Sequence, residues 1–276
     1  MTIEFSNIET LLEQLSPNIH LEDISWIEPI GIGILKLYKV VNPETQIHLT
    51  GNGNAINYCK TILNSPRSPA QTYTPFIPFD NEINSIAQEV THKIIQNAHN
   101  LTTEDRKDLS EYLLYLVSEM MDNVVSHAQS RCGGYITAQY YPQKKKVQVV
   151  IIDNGLGLKK TLSKNFNTLK NEKEAINKAI EEKVTGSNSF DIYNNIPKHA
   201  GLGLFFLTKI IEETNSRLFI VSNNIIYRSE HNSYTELETP FSGTIICFEI
   251  EVDNINHDLK ELMQMIMYVE DEEDVF

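Results

Sequence analysis

The run KVQVVIID, residues 146–153, breaks off into Asn-Gly-Leu-Gly. Eight residues with so few polar interruptions predict a strand, and Gly155 and Gly157 predict that the chain turns sharply where the strand stops. The preceding segment GGYITAQYY, residues 133–141, has the same character, and PQKKK between the two supplies a polar turn. The pair therefore predicts an antiparallel hairpin with a glycine-rich turn at one end.

Composition narrows the classes of function. The chain has 276 residues, 41% of them apolar, which suits one large domain or two of ordinary size. Lys and Arg number 23 against 37 Asp and Glu, a formal net charge of -14. That sign is wrong for holding nucleic acid phosphates by bulk electrostatics, so no direct nucleic-acid binding is expected. No apolar run reaches the roughly 18 residues of a membrane span, and the opening MTIEFSNIETLLEQL has no basic segment ahead of an apolar one. A cytoplasmic protein without membrane contact is expected. Cys59, Cys132 and Cys247 are far apart and without metal-type pairing, which suits reduced, buried thiols.

Along the chain, four of the ten prolines fall within residues 66–78 and mark a junction. Before it, IHLEDISWIEP and QIHLTGNGN predict strands and Ala55 to Leu63 a helix, so residues 1–70 are expected to form a small α/β module, followed by a Pro-rich junction over 71–80. Helices are expected over about 81–99 and 103–129, the second opened by Thr102 with Asp105 three places on. A long segment between Gly157 and Gly201, rich in Asn, Lys and Ser, has the look of a lid over 159–200, partly helical at Ala175, Ile176, Ala179 and Ile180. GLGLFFLTKIIEETNS predicts a helix opened by glycines, and RLFIVSN and GTIICFEIEV predict strands. DLKELMQMIMYVEDEEDVF predicts a terminal helix and an acidic tail over 256–276.

Three segments carry chemistry. On LVSEMMDNVVSHA, Glu119, Asn123 and His127 are spaced by four and share one polar stripe. Such a stripe can be a solvated face; a carboxylate followed one turn later by an amide can also be a general base beside a ligand for partly hydrated magnesium. In IIDNGLGL, Asp153 could accept a hydrogen bond from an exocyclic amine such as adenine's, or the segment could be an ordinary turn. In HAGLGLFFLTKII, Gly201 and Gly203 precede a helix whose free N–H groups could bind phosphate without a basic side chain, or serve close packing. It is neither a Walker loop nor a Rossmann fingerprint, since no Gly-Lys-Ser/Thr and no leading strand are present.

In this order the three segments resemble the GHKL (histidine kinase-like) ATPase superfamily, which includes histidine kinase catalytic domains and anti-sigma-factor serine kinases. SEMMDNVVSHA looks like its N box, IIDNGLGL like its first glycine box, GLGLFFLTKII like its second, and SGTIICFEI like its terminal strand. The resemblance implies an α/β fold, a two-layer α/β sandwich of the Bergerat type with a mixed sheet, over residues 81–255. It implies ATP and Mg2+ as cofactors: Asn123 as magnesium ligand, Asp153 as adenine reader, Gly155 and Gly157 as the adenine-pocket turn, Gly201, Leu202, Gly203 and Leu204 as backbone phosphate binders, and Thr244 at the adenine edge. Glu119 looks like the general base of hydrolysing and serine-kinase members. His127 matches a histidine of the anti-sigma kinases, with packing or phosphate-side polarity as the other role. Lys198 and His199 could approach the phosphates from the lid's end or simply solvate it.

Residues 1–70 resemble, more loosely, the STAS domains of anti-sigma-factor antagonists, with Pro29 and Ile30 where phosphorylatable members carry a serine. The expectation is an ATP·Mg-binding ATPase that works as an intracellular nucleotide-dependent switch; a serine/threonine kinase of anti-sigma-factor type and a non-catalytic ATP-gated interaction module stay open. A protein partner is expected, and a homodimer is left open. His92 precedes Lys93 and His99 precedes Asn100, so neither has the following acid of a phosphoacceptor histidine, and no autophosphorylation is expected.

Overall fold

The computed structural model describes residues 1–64, 72–164, 166–181, 203–238 and 241–273. The amino-terminal part runs β1 (Thr2–Ile3), α1 (Glu9–Glu13), β2 (Asn18–Ile24), β3 (Trp26–Ile27), α2 (Pro29–Val41), β4 (Gln46–Gly51) and α3 (Gly53–Asn64). Then follow β5 (Ile77–Phe79), α4 (Ile83–Gln96), α5 (Thr103–Asn123), β6 (Gly134–Tyr141), β7 (Lys146–Asp153), α6 (Leu158–Leu162), α7 (Glu172–Ile180), α8 (Gly203–Glu213), β8 (Arg217–Ser222), β9 (Ile225–Arg228), β10 (Ser233–Glu236), β11 (Thr244–Glu251) and α9 (Leu259–Glu273).

Local signals act where the sequence put them. Thr102 opens α5 with a capping box: its hydroxyl accepts from Asp105 N–H at 3.1 Å, and the Asp105 carboxylate accepts from Thr102 N–H at 3.2 Å. Pro29 sits in the first turn of α2, where a missing N–H costs nothing. The expected junction is in part structural, since β5 within it forms the sheet edge, where Pro78 removes no central ladder bond.

One seven-stranded sheet organises the chain in the order β10-β9-β8-β11-β7-β6-β5. The mixed sheet of the sequence reading is corrected here: every pairing within it is antiparallel. The reason is connectivity, because β6–β7, β8–β9 and β9–β10 are joined by short turns that reverse the chain, and β11 returns between β8 and β7 against the direction of both.

Both faces of this sheet are covered. On one, Val147, Val149, Ile151, Ile220, Ile246 and Phe248 join Leu116, Val117, Met120, Phe206 and Ile210 of α5 and α8 in one core. On the other, Val150, Ile152, Phe219, Val221, Ile245 and Cys247 join Phe5, Ile30, Ile34, Leu37 and Ile62 of the amino-terminal part. All eight residues of β7 are buried as a result, which explains an apolar run that does not alternate. The helical and sheet layers of the expected sandwich are therefore joined by a third. In that layer β2 and β4 pair in parallel across α2, as in a βαβ unit, while β1 and β3 form a separate parallel pair.

A row of polar side chains crosses the sheet on this amino-terminal face. Arg217, Glu249, Gln148 and Gln139 are successive cross-strand neighbours. Lys146 Nζ donates to Glu249 Oε1 at 2.6 Å, Gln148 Nε2 donates to the same oxygen at 2.9 Å, and Arg217 Nε donates to Glu249 Oε2 at 2.5 Å. From the other layer, Glu28 accepts from Gln148 Nε2 at 3.2 Å and from Phe5 N–H at 2.8 Å, and Tyr58 donates to Gln139. Burial raises the Glu28 carboxyl above its ordinary pKa, helped by the nearby Glu249 charge. The three cysteines are free, with Cys59 and Cys247 buried. No helix among the described residues is long and apolar enough to cross a membrane.

Candidate functional site

A second polar row lies on the helical face, at the opposite end of the same strands. Ser222, Thr244, Asp153 and Gly134 are cross-strand neighbours there. Asp153 is 2% exposed, and its Oδ1 accepts from Gly155 N–H at 2.7 Å while Thr244 donates to the carboxylate as well. Burial pushes this carboxyl up to about 6, and the donors from Gly155 and Thr244 offset only part of that. At neutral pH it is thus a buried anion near its titration point, an acceptor suited to a further neutral N–H donor.

Close backbone approaches shape the turn after Asp153. A methyl on Gly155 would lie 2.2 Å from the carbonyl oxygen of Ala128, and Leu156 N–H donates to that oxygen at 2.8 Å. The first glycine box is thereby pinned to the end of the helix that carries the acid. Gly157 takes φ +77, and a side chain there would strike Asn223. Gly243, at φ +107, has no room for a side chain because the carbonyl of Asp153 would be 2.0 Å away.

α5 does not end as a regular helix. Beyond Asn123 it widens into a π-helical turn, Val124–Ala128, followed by Gln129 in the left-handed region. Glu119 and Asn123 are half-buried and His127 is exposed. A methyl on Gly203, the first described residue of α8, would lie 2.9 Å from Oε2 of Glu119. The acid therefore faces the start of the helix that the second glycine box opens. Its charge also contributes, after burial, to the raised pKa of Tyr115. Leu204 is buried in the core beside it, so its side chain anchors the helix.

The described part of the expected lid is tied to the same end of the sheet. Glu172, at the start of α7, accepts from Ser222 Oγ and Asn223 Nδ2, both at 2.6 Å, and from Lys159 N–H at 3.1 Å. Leu158 N–H donates to Ser222 Oγ at 2.8 Å.

The structure thus places Glu119 against Gly203, Asp153 against Gly155 and Thr244, and Gly157 against Asn223 and Ser222, with Leu204 buried in the core and Asn123 at the end of α5, outside these contacts. Gly201, Leu202, Lys198, His199 and lid residues 182–200 lie outside the described residues. Sequence reasoning missed Gly243, Glu172, Ser222 and Asn223. Gly243 had a signal in the Ser-Gly-Thr that opens β11; a lid acid buried against a strand end had none, because its partners are about 50 residues away.

A buried acceptor at a strand end, tight glycine turns, and an acid facing the start of α8 thus lie on an α/β sandwich. Residues 81–223, just over half of the chain, match the family model of the histidine kinase-like ATPase domain, and the chain belongs to that family. A search of curated proteins gives no significant match. The matched segment ends before β11, so the pairing of Thr244 with Asp153 comes from the sheet register rather than from the match.

Proposed function

We propose that this chain binds ATP with Mg2+ in the cleft between Asp153 and the start of α8, hydrolyses it slowly, and works as a nucleotide-dependent switch. The observation that carries the reading is the approach of Glu119 Oε2 to the Gly203 backbone while Gly155 is held against Ala128. These two approaches support placing the acid, the glycine turn and the phosphate-side helix at one site. Asp153 reads the exocyclic amine of adenine, which the glycine turn lets lie against the backbone, and Gly201 to Leu204 offer N–H groups to the phosphates. Asn123 would hold the magnesium ion through its side-chain oxygen. The donor fits: a neutral amide oxygen on a half-buried side chain suits magnesium, which keeps several waters and takes substrate phosphates when the protein offers one or two ligands. When bound, the ion supplies charge neutralisation on the phosphate oxygens.

Glu119 accepts a proton from water as the water oxygen bonds to the terminal phosphorus. The bond to the bridging oxygen breaks, giving ADP and inorganic phosphate. The switch reading draws on β7, whose end carries Asp153 while its middle packs on the amino-terminal layer, so a change at the nucleotide end has a continuous path to that layer and to a protein partner docked on it. We take residues 1–70, with STAS-like character, as that output module.

With labelled ATP and purified protein, Glu119→Ala is expected to lower phosphate release at least 100-fold with ATP affinity within threefold of the parent. Asn123→Ala is expected to weaken magnesium-dependent binding. Undiminished release in Glu119→Ala would overturn the base assignment. Label on an added protein would select the serine/threonine kinase reading, and tight binding with neither outcome would select the non-catalytic module.

A further inference from the structure

The amino-terminal layer has a hollow of about 690 Å³ that the ATPase reading does not use. It opens past the carboxyl ends of the parallel strands β2 and β4, the side on which open α/β sheets hold ligands. Ser25 and Trp26 follow β2 on one side of it, α3 forms another, and Thr72 closes it from the chain that leads into β5. Among the described residues, every side chain lining it is uncharged.

Its chemistry is specific. Trp26 and Tyr58 are stacked face to face, centroids 4.9 Å apart and planes within 17°. One indole face is thereby taken by Tyr58, whose ring Tyr73 meets edge-on at 5.1 Å, so the aromatic rings of the hollow pack on one another. Asn54 and Asn57 are exposed, and their amides make no hydrogen bond among the described residues. Each amide offers donors and an acceptor together, as does the hydroxyl of Thr72, while the Thr61 hydroxyl already donates to the Asn57 carbonyl at 2.8 Å. Neutral lining in a chain of net charge -14 disfavours phosphates and carboxylates. A ring with aromatic character on both sides gains most when sandwiched, and here one side of the indole is blocked. A sugar ring needs one apolar platform, with hydroxyls around its rim that donate and accept at once.

We infer that this hollow is a binding site for a neutral saccharide, stacked on Trp26 and held by the amides of Asn54 and Asn57. The inference is independent of the nucleotide reading. The hollow also touches the sheet, because Tyr58 donates to Gln139 in the polar row, so a sugar held there would press on the layer that contacts β7.

Trp26 is the sole tryptophan of the chain, so its emission reports on this hollow alone. The full chain, without ATP, is titrated with glucose, galactose, mannose, N-acetylglucosamine and maltose, and in a parallel arm with adenosine and guanosine. The expected result is a saturable change in emission with at least one sugar, and a dissociation constant raised at least tenfold in Asn57→Ala and in Asn54→Ala, whose urea unfolding midpoints match the parent. Emission unchanged by every sugar, saturation insensitive to both substitutions, or saturation by nucleosides alone would overturn it.

Discussion

The two polar rows that cross the central sheet use the same strands and opposite solutions. About 17 Å separates Gln148 from Asp153 along β7, at the usual strand rise. At the first row Glu249 is fully buried, yet Lys146 and Arg217 supply positive charge and Gln148 a further donor. At the second, Asp153 is as deeply buried but has only the neutral donors of Gly155 and Thr244 among its named partners, and its pKa climbs to about 6. A buried carboxylate with cations holds two layers in register; one without them retains acceptor capacity that a ligand can use. The difference separates a row neutralised by its own cations from the row that the proposed function uses, on a single sheet.

The sharpest way to break this comparison is at Glu249. Glu249→Ala strands the buried Lys146 ammonium and leaves the part-exposed Arg217 with Glu230 as its carboxylate partner, so unfolding free energy should drop by about 3 kcal/mol, read from urea midpoints. Nucleotide affinity at a temperature where the variant is folded should stay within threefold. Strong loss of affinity with stability retained would mean the rows are not divided as described.

Asp153→Asn tests the other row and should move the two readouts in opposite directions. Calorimetric ATP affinity should weaken about 100-fold, roughly 2.7 kcal/mol. The apo protein should gain about 1 to 3 kcal/mol of stability at pH 7, because a buried charge is removed. Weakened binding with lowered stability would make Asp153 a structural residue like Glu249.

The smallest expected effect is in pH. The folded-state pKa of Asp153 lies above its ordinary value of 3.8, so between about pH 4 and 6 the folded chain holds a proton that the unfolded chain has lost. Its contribution therefore favours folding at the acid end and fades as pH rises through about 6. Adenine needs the deprotonated acceptor, so affinity should fall about tenfold from pH 7 to pH 5, with the same titration of Asp153→Asn subtracting changes in ATP itself. Identical profiles for both proteins would remove Asp153 from the contact.

Much of this was legible in the sequence because it is encoded locally. The Thr102 capping box, the β6–β7 hairpin, α7 within the lid and the glycine-opened start of α8 all depend on residues a few positions apart. The β9–β10 hairpin was missed, since NNIIYRSEHNSYTE lacks a Gly-containing turn and reverses through Asn232 in the left-handed region. Strand direction in the sheet was also misjudged, because order and orientation are fixed by where β11 inserts, which no local pattern states. Within the site, box residues stood out by their glycines, whereas Glu172 looks like any other acid on a charged helix until its partners fold around it.

The amino-terminal layer shares its oily interior with the ATPase sheet: Val150, Ile152, Phe219, Val221 and Ile245 are buried in one core with Phe5, Ile30, Ile34 and Leu37. A fragment trimmed to begin near residue 72 would present this patch bare to water, inviting clumping rather than yielding a tidy minimal enzyme. Any attempt to carve out the family-matched half will need those five side chains repainted with hydrophilic ones, or the whole chain kept intact.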